Sequence, residues 1–360
     1  ARRLDRSGAL FLAAAKEAWE SAGLEAAALD MTRCAVIDGS SLGVMADLLE
    51  AHRDRLHRED GLPHPSGLVR FMAGAGGAAF AHAYGLQGTV IHVSGGCVSS
   101  TYAITEAIQK IANDVADVVI AGGAECPLQR DIVDTFRAAR ILAHTNDGVC
   151  KPFDGHRCGT VLGEGAGVLV LEASEHARIR GATPIASISG FGANCEAYSM
   201  TAPQPDGSGV AVAIRQALSD TPPDSVGWIK THGAGTKLND AAECRGLAAV
   251  FGTRLPEIPL TALKPMTGHC LGASGAVESV AGLIALEEGV IPPTLGTEDV
   301  DETLPSCTVV TRLQRNTAKT ILMLTASFGG RYAAIAVSLG DAARSNPHTR
   351  RLSCGKTAGS

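Results

Sequence analysis

The stretch Ile91-His92-Val93-Ser94-Gly95-Gly96-Cys97-Val98-Ser99-Ser100 changes character twice. It opens on apolar, β-branched residues that suit a strand. It then turns on two glycines and runs on as the small-residue segment 99–112, which suits a helix. A strand that feeds a helix through a tight turn is the basic unit of α/β architecture. The junction places Cys97 at a helix N-terminus, where backbone N–H groups are free and the partial charge is positive. That setting lowers a thiol's pKa and favours the thiolate. The same N–H groups can stabilise an oxyanion, and the glycines let a substrate come close to the backbone. A buried core cysteine that happens to precede a helix accounts for this stretch equally well.

Outward from this junction, the chain keeps alternating helix and strand. Residues 9–23 read as an amphipathic helix that stops at Gly23, and 33–38 as a short strand. Residues 52–66 are charged, contain Pro63 and Pro65, and read as an exposed loop. Residues 67–84 read as a small-residue helix, and 117–121 as an apolar strand that ends at Gly122-Gly123. Further strands are expected at 165–171, 185–190 and 226–231, and a closing pair at 320–325 and 333–339 around Gly329-Gly330. Further helices are expected at 209–218, 240–251 and 274–287. The apolar strands read as buried on both faces. The plan repeats as two similar runs of strand, glycine turn and small-residue helix. The polar tail 341–360 has no periodicity and reads as disordered.

Composition narrows the function classes. The 360 residues are 45% hydrophobic but only 4% aromatic, with 42 glycines, which fits close packing of small side chains. A net charge of −6 gives no electrostatic reason to expect nucleic acid. No apolar run reaches the roughly 20 residues that span a bilayer. The opening Ala1-Arg2-Arg3-Leu4-Asp5-Arg6 has no signal-peptide core, so a soluble, cytoplasmic protein is expected. The 10 cysteines form no Cys-x-x-Cys pair and show no zinc spacing with histidine, so neither a metal nor another cofactor is expected.

Two further motifs share the plan of the cysteine junction. Thr231-His232-Gly233-Ala234-Gly235-Thr236 follows a strand. Lys264-Pro265-Met266-Thr267-Gly268-His269-Cys270-Leu271-Gly272-Ala273-Ser274-Gly275 carries a second histidine among glycines and leads into a small-residue helix. Either histidine alone is more often structural. Together with Cys97, the three motifs resemble the signatures of β-ketoacyl-acyl carrier protein synthases of the elongating type II kind and the matching polyketide synthase domains, in the thiolase superfamily. Ala121-Gly122-Gly123-Ala124-Glu125, Pro152-Phe153-Asp154, Leu162-Gly163-Glu164-Gly165-Ala166-Gly167 and Ser327-Phe328-Gly329-Gly330 also match. The resemblance runs over residues 1–340.

The resemblance implies an αβαβα layered fold of two similar halves, 1–172 with the nucleophile and 173–340 with both histidines. Family members begin with a strand and helix ahead of this chain's first helix, so the first half-sheet is expected to lack a strand. The implied activity is acyl transfer by decarboxylative Claisen condensation of an acyl thioester with malonyl-acyl carrier protein, in polyketide or fatty acid biosynthesis. Cys97 would carry the acyl group, and His232 and His269 would stabilise the enolate. Lys264 would tune the charge around His269, or form an ion pair with Glu278 or Glu243. Phe328 and Gly329 would gate the site and hold the oxyanion, and Asp240, Glu243 and Glu278 would support it. Acidic acyl carrier protein is the implied partner, with Arg2, Arg3 and Arg6 as a basic contact. A homodimer, or a heterodimer with a chain-length-factor-like subunit, is implied as well. Residues 131–142 and 195–208 are expected to line the acyl pocket.

Three departures bear on specificity: Gly95-Gly96 for the usual Thr-Ala, Ala234 for a hydroxyl residue, and Arg331-Tyr332 for the usual Thr-Asn. A ketosynthase-like acyltransferase or cyclase would keep the same three reactive residues. A thiolase would need a second cysteine in the closing glycine loop, which has none. A non-elongating chain-length partner would lack the nucleophile. A dinucleotide site at Gly74-Ala75-Gly76-Gly77-Ala78-Ala79 lacks the acidic residue expected about 20 positions on.

Overall fold

The structure, a computed structural model, describes residues 4–57, 67–144 and 148–339. The first half holds β1 (Cys34–Gly39), β2 (Val90–Val93), β3 (Val118–Glu125) and β4 (Gly165–Glu172). Its helices are α1 (Arg6–Ser21), α2 (Met45–Leu56), α3 (Gly67–Arg70), α4 (Ala75–Tyr84), α5 (Ser99–Ala112), α6 (Arg130–Ala138) and α7 (Ser174–Ile179). The second half holds the strands β5 (Ser187–Cys195), β6 (Val226–Lys230), β7 (Pro259–Thr261), β8 (Val290–Ile291), β9 (Thr308–Val309), β10 (Gln314–Arg315), β11 (Thr320–Ser327) and β12 (Arg331–Ser338). Its helices are α8 (Ser208–Ala217), α9 (Lys237–Phe251), α10 (Lys264–Thr267) and α11 (Ser274–Glu287).

The first sheet has the order β2-β1-β3-β4, with β4 antiparallel to its neighbour. The second has the order β5-β12-β11-β6-β7-β9. Within it, β7-β6-β11-β12 repeats the first sheet's order and directions. The second sheet carries β5 beyond β12, whereas β4 has no strand on its outer side among the described residues.

Side-chain alternation explains the layers. Ala35, Ile37, Val119 and Ala121 of the first sheet face a central core. Ile321, Met323, Ile335 and Val337 of the second sheet face it from the other side. Between them lie Ala103, Ile104 and Ala107 of α5 and Ala276 and Ala285 of α11. The opposite faces are also covered. Val36, Val118 and Ile120 pack on Phe11 and Trp19 of α1 and Phe80 of α4. Leu322, Leu324 and Ala336 pack on Ile214 of α8 and Leu247 and Phe251 of α9. Five layers, helix–sheet–helix–sheet–helix, follow. Each large aliphatic side chain buried here contributes about 1.5–3 kcal/mol over exposure.

Several element boundaries differ from expectation. The strand read as ending before Gly122-Gly123 runs through both glycines to Glu125. A Cβ on Gly122 would collide with the Gly167 carbonyl and one on Gly123 with the Gly39 carbonyl, so the glycines serve close backbone approach inside the sheet. The expected helix 67–84 is broken by Gly74, which sits at φ 78°. Part of the expected loop 52–66 is helical, as the end of α2; residues 58–66 and the tail 341–360 lie outside the described residues. The segment before Gly74 is α3 rather than a strand, so the glycine run there lacks the context of a dinucleotide site. Among the described residues no helix is long and apolar enough to cross a membrane.

Candidate active site

Cys97 lies two residues ahead of α5, and His269 five residues ahead of α11. The two central helices therefore bring the cysteine and one histidine to the same level of the molecule. His232 follows the end of β6 and comes to lie against His269, with ring centroids 5.4 Å apart and planes at 82°. Both histidines are buried.

Each histidine is held from behind. The Nδ1 atom of His232 lies 3.3 Å from the Lys264 ammonium, which also donates to the His232 carbonyl. Ammonium has only donors, so this Nδ1 accepts and the proton of a neutral ring resides on Nε2. The backbone N–H groups of His232 and Gly233 donate to the two oxygens of Glu243, at 2.5 and 2.9 Å. Nδ1 of His269 pairs with the Ser274 hydroxyl at 2.8 Å. Its backbone is fixed by a short ladder with the Leu162-Gly163 segment: the His269 N–H donates to the Val161 carbonyl at 2.6 Å and the Gly163 N–H to the His269 carbonyl at 3.1 Å. Burial and the nearby Lys264 charge hold both imidazoles well below their ordinary pKa, hence neutral.

Lys264 pairs with Glu278 at 2.8 Å, and so does Lys230 at 2.7 Å through the other carboxylate oxygen. Of the two ion-pair partners considered for Lys264, the structure places Glu278 there, while Glu243 turns to the histidine backbone. Lys230 was not singled out from the sequence. The available signal was a lysine inside the apolar strand segment Val226-Gly227-Trp228-Ile229-Lys230, where a charge must be paired to be buried. Two lysines thus share one buried carboxylate beside the histidines; burial pulls the Lys230 ammonium's pKa down, and Glu278 opposes that.

Other matching motifs act as braces. Glu125 accepts from Ser41 N–H (2.5 Å), Leu42 N–H (3.2 Å), the Ser40 hydroxyl (2.8 Å) and Gly272 N–H (3.1 Å), which ties the first half to the His269 segment. Asp240 accepts from the Phe153 N–H at 2.9 Å and holds that residue at φ 65°. Asp154 accepts from the N–H groups of His156, Glu298 and Asp299.

The surroundings of Cys97 correct one expectation. The Cys97 thiol is not lowered; burial pushes it up to about 11, while Lys264 and the Ser327 hydroxyl pull against that rise. Loss of solvation of the thiolate is the largest influence on it. The Cys97 N–H is also occupied, donating to Ser327 Oγ at 2.8 Å. A Cβ on Gly96 would collide with that hydroxyl, so Gly96 and Ser327 depend on each other. The Gly329 N–H donates to the Met200 carbonyl at 2.9 Å. Of the expected oxyanion donors, the N–H groups of Cys97 and Gly329 are thus taken, and only that of Phe328 has no partner among the described residues. Phe328 itself is 47% exposed.

The expected pocket loop 195–208 lies against this turn through Met200 and through Cys195, whose thiol reaches the Gly329 carbonyl at 3.4 Å. The expected helix 131–142 is the shorter α6, with only Ile132 buried. Arg6 pairs with Glu164 at 2.9 Å and stays largely exposed; Arg2 and Arg3 lie outside the described residues. No cluster of His, Cys, Asp or Glu among the described residues could hold a metal ion.

A duplicated five-layer α/β fold, with cysteine and histidine ahead of its two central helices, defines the thiolase-like class. Residues 1–177 match the family model "Beta-ketoacyl synthase, N-terminal domain", and 185–298 match "Beta-ketoacyl synthase, C-terminal domain". The chain belongs to the β-ketoacyl synthase family, whose members serve polyketide and fatty acid synthesis. It is 35% identical over 315 residues to 3-oxoacyl-[acyl-carrier-protein] synthase 2 of Vibrio harveyi, covering 84% of this chain and 75% of the relative. A type II polyketide ketosynthase solved with its acyl-carrier protein and bound to a hexaketide superposes with TM-score 0.88 at 29% identity, over 93% of this chain and 85% of that one. A ketosynthase of Xenorhabdus doucetiae in complex with its chain length factor superposes with TM-score 0.81 at 28% identity, over 93% and 82% of the two chains.

Proposed function

We propose that the chain is a ketosynthase that condenses an acyl thioester with malonyl-acyl carrier protein through an acyl-Cys97 intermediate. The observation that carries this reading is the pair of buried, neutral histidines, each with Nδ1 occupied, together with a cysteine just ahead of α5, whose Ser100 hydroxyl accepts from the Ala276 N–H at the start of α11. His232 keeps Nε2–H free, and His269 does the same when the Ser274 hydroxyl donates to its Nδ1, so the two rings are suited to donate to one developing enolate oxygen.

Cys97 sulfur adds to the acyl thioester carbonyl, the carrier's C–S bond breaks, and the thiol proton passes to the departing carrier thiolate. Because the resting thiol is protonated, this transfer accompanies attack. Malonyl-carrier then enters. Its C–carboxylate bond breaks, CO₂ leaves, and the electron pair moves into the enolate held by His232 and His269. The enolate carbon attacks the acyl carbonyl, the Cys97–acyl bond breaks, and the thiolate takes up a proton. The Phe328 N–H, which has no partner among the described residues, would receive the tetrahedral oxyanion; the Cys97 N–H would join it once Ser327 turns away. Phe328 is the proposed gate. Lys264, Asp240, Glu243 and Glu278 fix positions and charge.

Carrier protein delivers both substrates in this reading, with the arginine-bearing start of the chain as one contact. A homodimer, or a heterodimer with a chain-length-factor-like subunit, is proposed from the solved relative that carries such a partner. The halves are taken as 1–172 and 173–340. Acyl transfer or cyclisation without elongation is a second reading, since it would use the same acyl-Cys97 and the same two histidines.

Intact-mass spectrometry after incubation with acyl-carrier thioester and then malonyl-carrier tests these readings, with Cys97→Ala alongside. An adduct on Cys97 that discharges as a β-ketoacyl product supports condensation. An adduct that never elongates supports transfer or cyclisation. The absence of any adduct overturns the nucleophile assignment and favours a partner subunit.

A further inference from the structure

Next to Cys97 lies a cation that the condensation does not use. Arg331 opens β12 and is half-buried. Its guanidinium lies over the Gly329 turn and reaches toward Gly96, the residue before Cys97. Nε and Nη2 lie 3.4 Å from where a Cβ on Gly329 would be, and Nη1 lies 3.7 Å from where one on Gly96 would be. It therefore bridges the residue after the proposed gate and the residue before the nucleophile. Both neighbours are glycines, and the Ser327 hydroxyl shares the space beside Gly96 with it.

The rest of this wall makes room for it. Gly95 lacks a Cβ where one would sit 2.9 Å from the Tyr102 ring. Tyr102 is half-buried; burial pushes its phenol up, and the Arg331 charge opposes that rise, so the two groups share one small region with the Cys195 thiol. Other half-buried arginines here are paired: Arg33 with Asp117, Arg180 with Glu172. Among the described residues no carboxylate pairs with Arg331 and no side-chain hydrogen bond engages it. A guanidinium has five N–H donors in a fixed planar fork and keeps its charge. One that is half-buried and unpaired at a reaction centre is costly unless a ligand supplies the acceptor.

We propose that Arg331 is a specificity-determining residue that selects acyl groups carrying an acceptor oxygen close to the thioester. The shared chemistry is a carbonyl or carboxylate oxygen within a few bonds of the carbon that joins Cys97. A β-keto oxygen and a terminal carboxylate are its two sources. A plain alkyl chain would leave the guanidinium desolvated against methylenes. This inference rests on the reading of Cys97 as the acylated nucleophile.

The test is competitive loading of the full-length protein with size-matched thioesters, read by intact mass on Cys97. Acetoacetyl thioester competes against butyryl, and succinyl against pentanoyl. The expected result is a preference for the oxygenated member of at least one pair by about 10- to 100-fold, the range of a charge-assisted hydrogen bond. Which pair shows it identifies the source, ketone or carboxylate. In Arg331→Met the ratio should fall to near one, and in Arg331→Lys it should be partly kept. A merely structural arginine would slow both members alike and leave the ratio untouched. Equal loading of both members of both pairs by the wild type overturns the proposal while leaving the nucleophile intact. Failure of every thioester to load overturns the nucleophile reading instead, and the two failures are thus distinguishable.

Discussion

Gly96 shows how much a single residue decides at this site. It holds φ 70°, and a Cβ there would strike the hydroxyl that receives the Cys97 N–H. Gly96→Ala is expected to cost about 1–3 kcal/mol of stability through overpacking and to slow Cys97 acylation by about a hundredfold through misplacement. Adding Ser327→Gly should recover part of the acylation rate; if the double variant is no faster than the single one, the hydroxyl is not the obstacle. The buried lysines give a second test. Glu278→Leu would leave Lys230 and Lys264 without their shared carboxylate, at a cost of about 3–5 kcal/mol, measurable as a lower urea midpoint. Lys230→Met should cost less, because the Lys264–Glu278 pair survives, and an equal cost would mean the two lysines are not held by one group. The three residues proposed to react stood out in the sequence because each stands at a glycine turn after a strand. The partner of Lys264, the role of Lys230 and the capture of the Cys97 N–H were not, since each depends on residues far apart in the chain.

At the scale of elements, periodicity located nearly every long helix and strand, and residues 274–287 form α11 with the bounds read from the sequence. The misreadings share a cause. Glycine punctuates a chain in two ways, by permitting a turn and by permitting contact, and only the fold says which applies. Gly122 and Gly123 read as a strand's end and proved to be strand interior. Gly74, inside an apparent helix, proved to be a break at positive φ. The strands β7 to β10 are too short for a periodic signal. Gly167 of β4 makes the contact role testable. A Cβ there would lie 2.5 Å from backbone atoms of Ala276 and Val277 in α11. Gly167→Ala should push α11 away from the first sheet, destabilise by about 1–3 kcal/mol and lower Cys97 acylation, because His269 sits just ahead of that helix. Unchanged stability would show that helix and sheet can part without cost.

For the whole molecule, the buried neutral histidines couple the site to folding. The unfolded chain takes up protons on His232 and His269 near their ordinary value of 6.5, whereas the folded chain resists them. The unfolded state therefore binds more protons as pH falls below about 6.5, and stability is lost in that direction. Urea midpoints should fall between about pH 7 and about pH 5.5, by less in His232→Gln, and a flat profile in that window would mean the rings charge freely inside the fold. The layer order has a consequence for assembly as well. Helices α5 and α11 come from opposite halves of the chain, yet each fills the space between both sheets. A chain severed in the segment 180–186 would give two pieces, each with one wall of its core facing water. Neither should label at Cys97 alone, but mixing them should restore labelling, and the dose of one fragment needed to rescue the other would express the cohesion of the central layer as a dissociation constant.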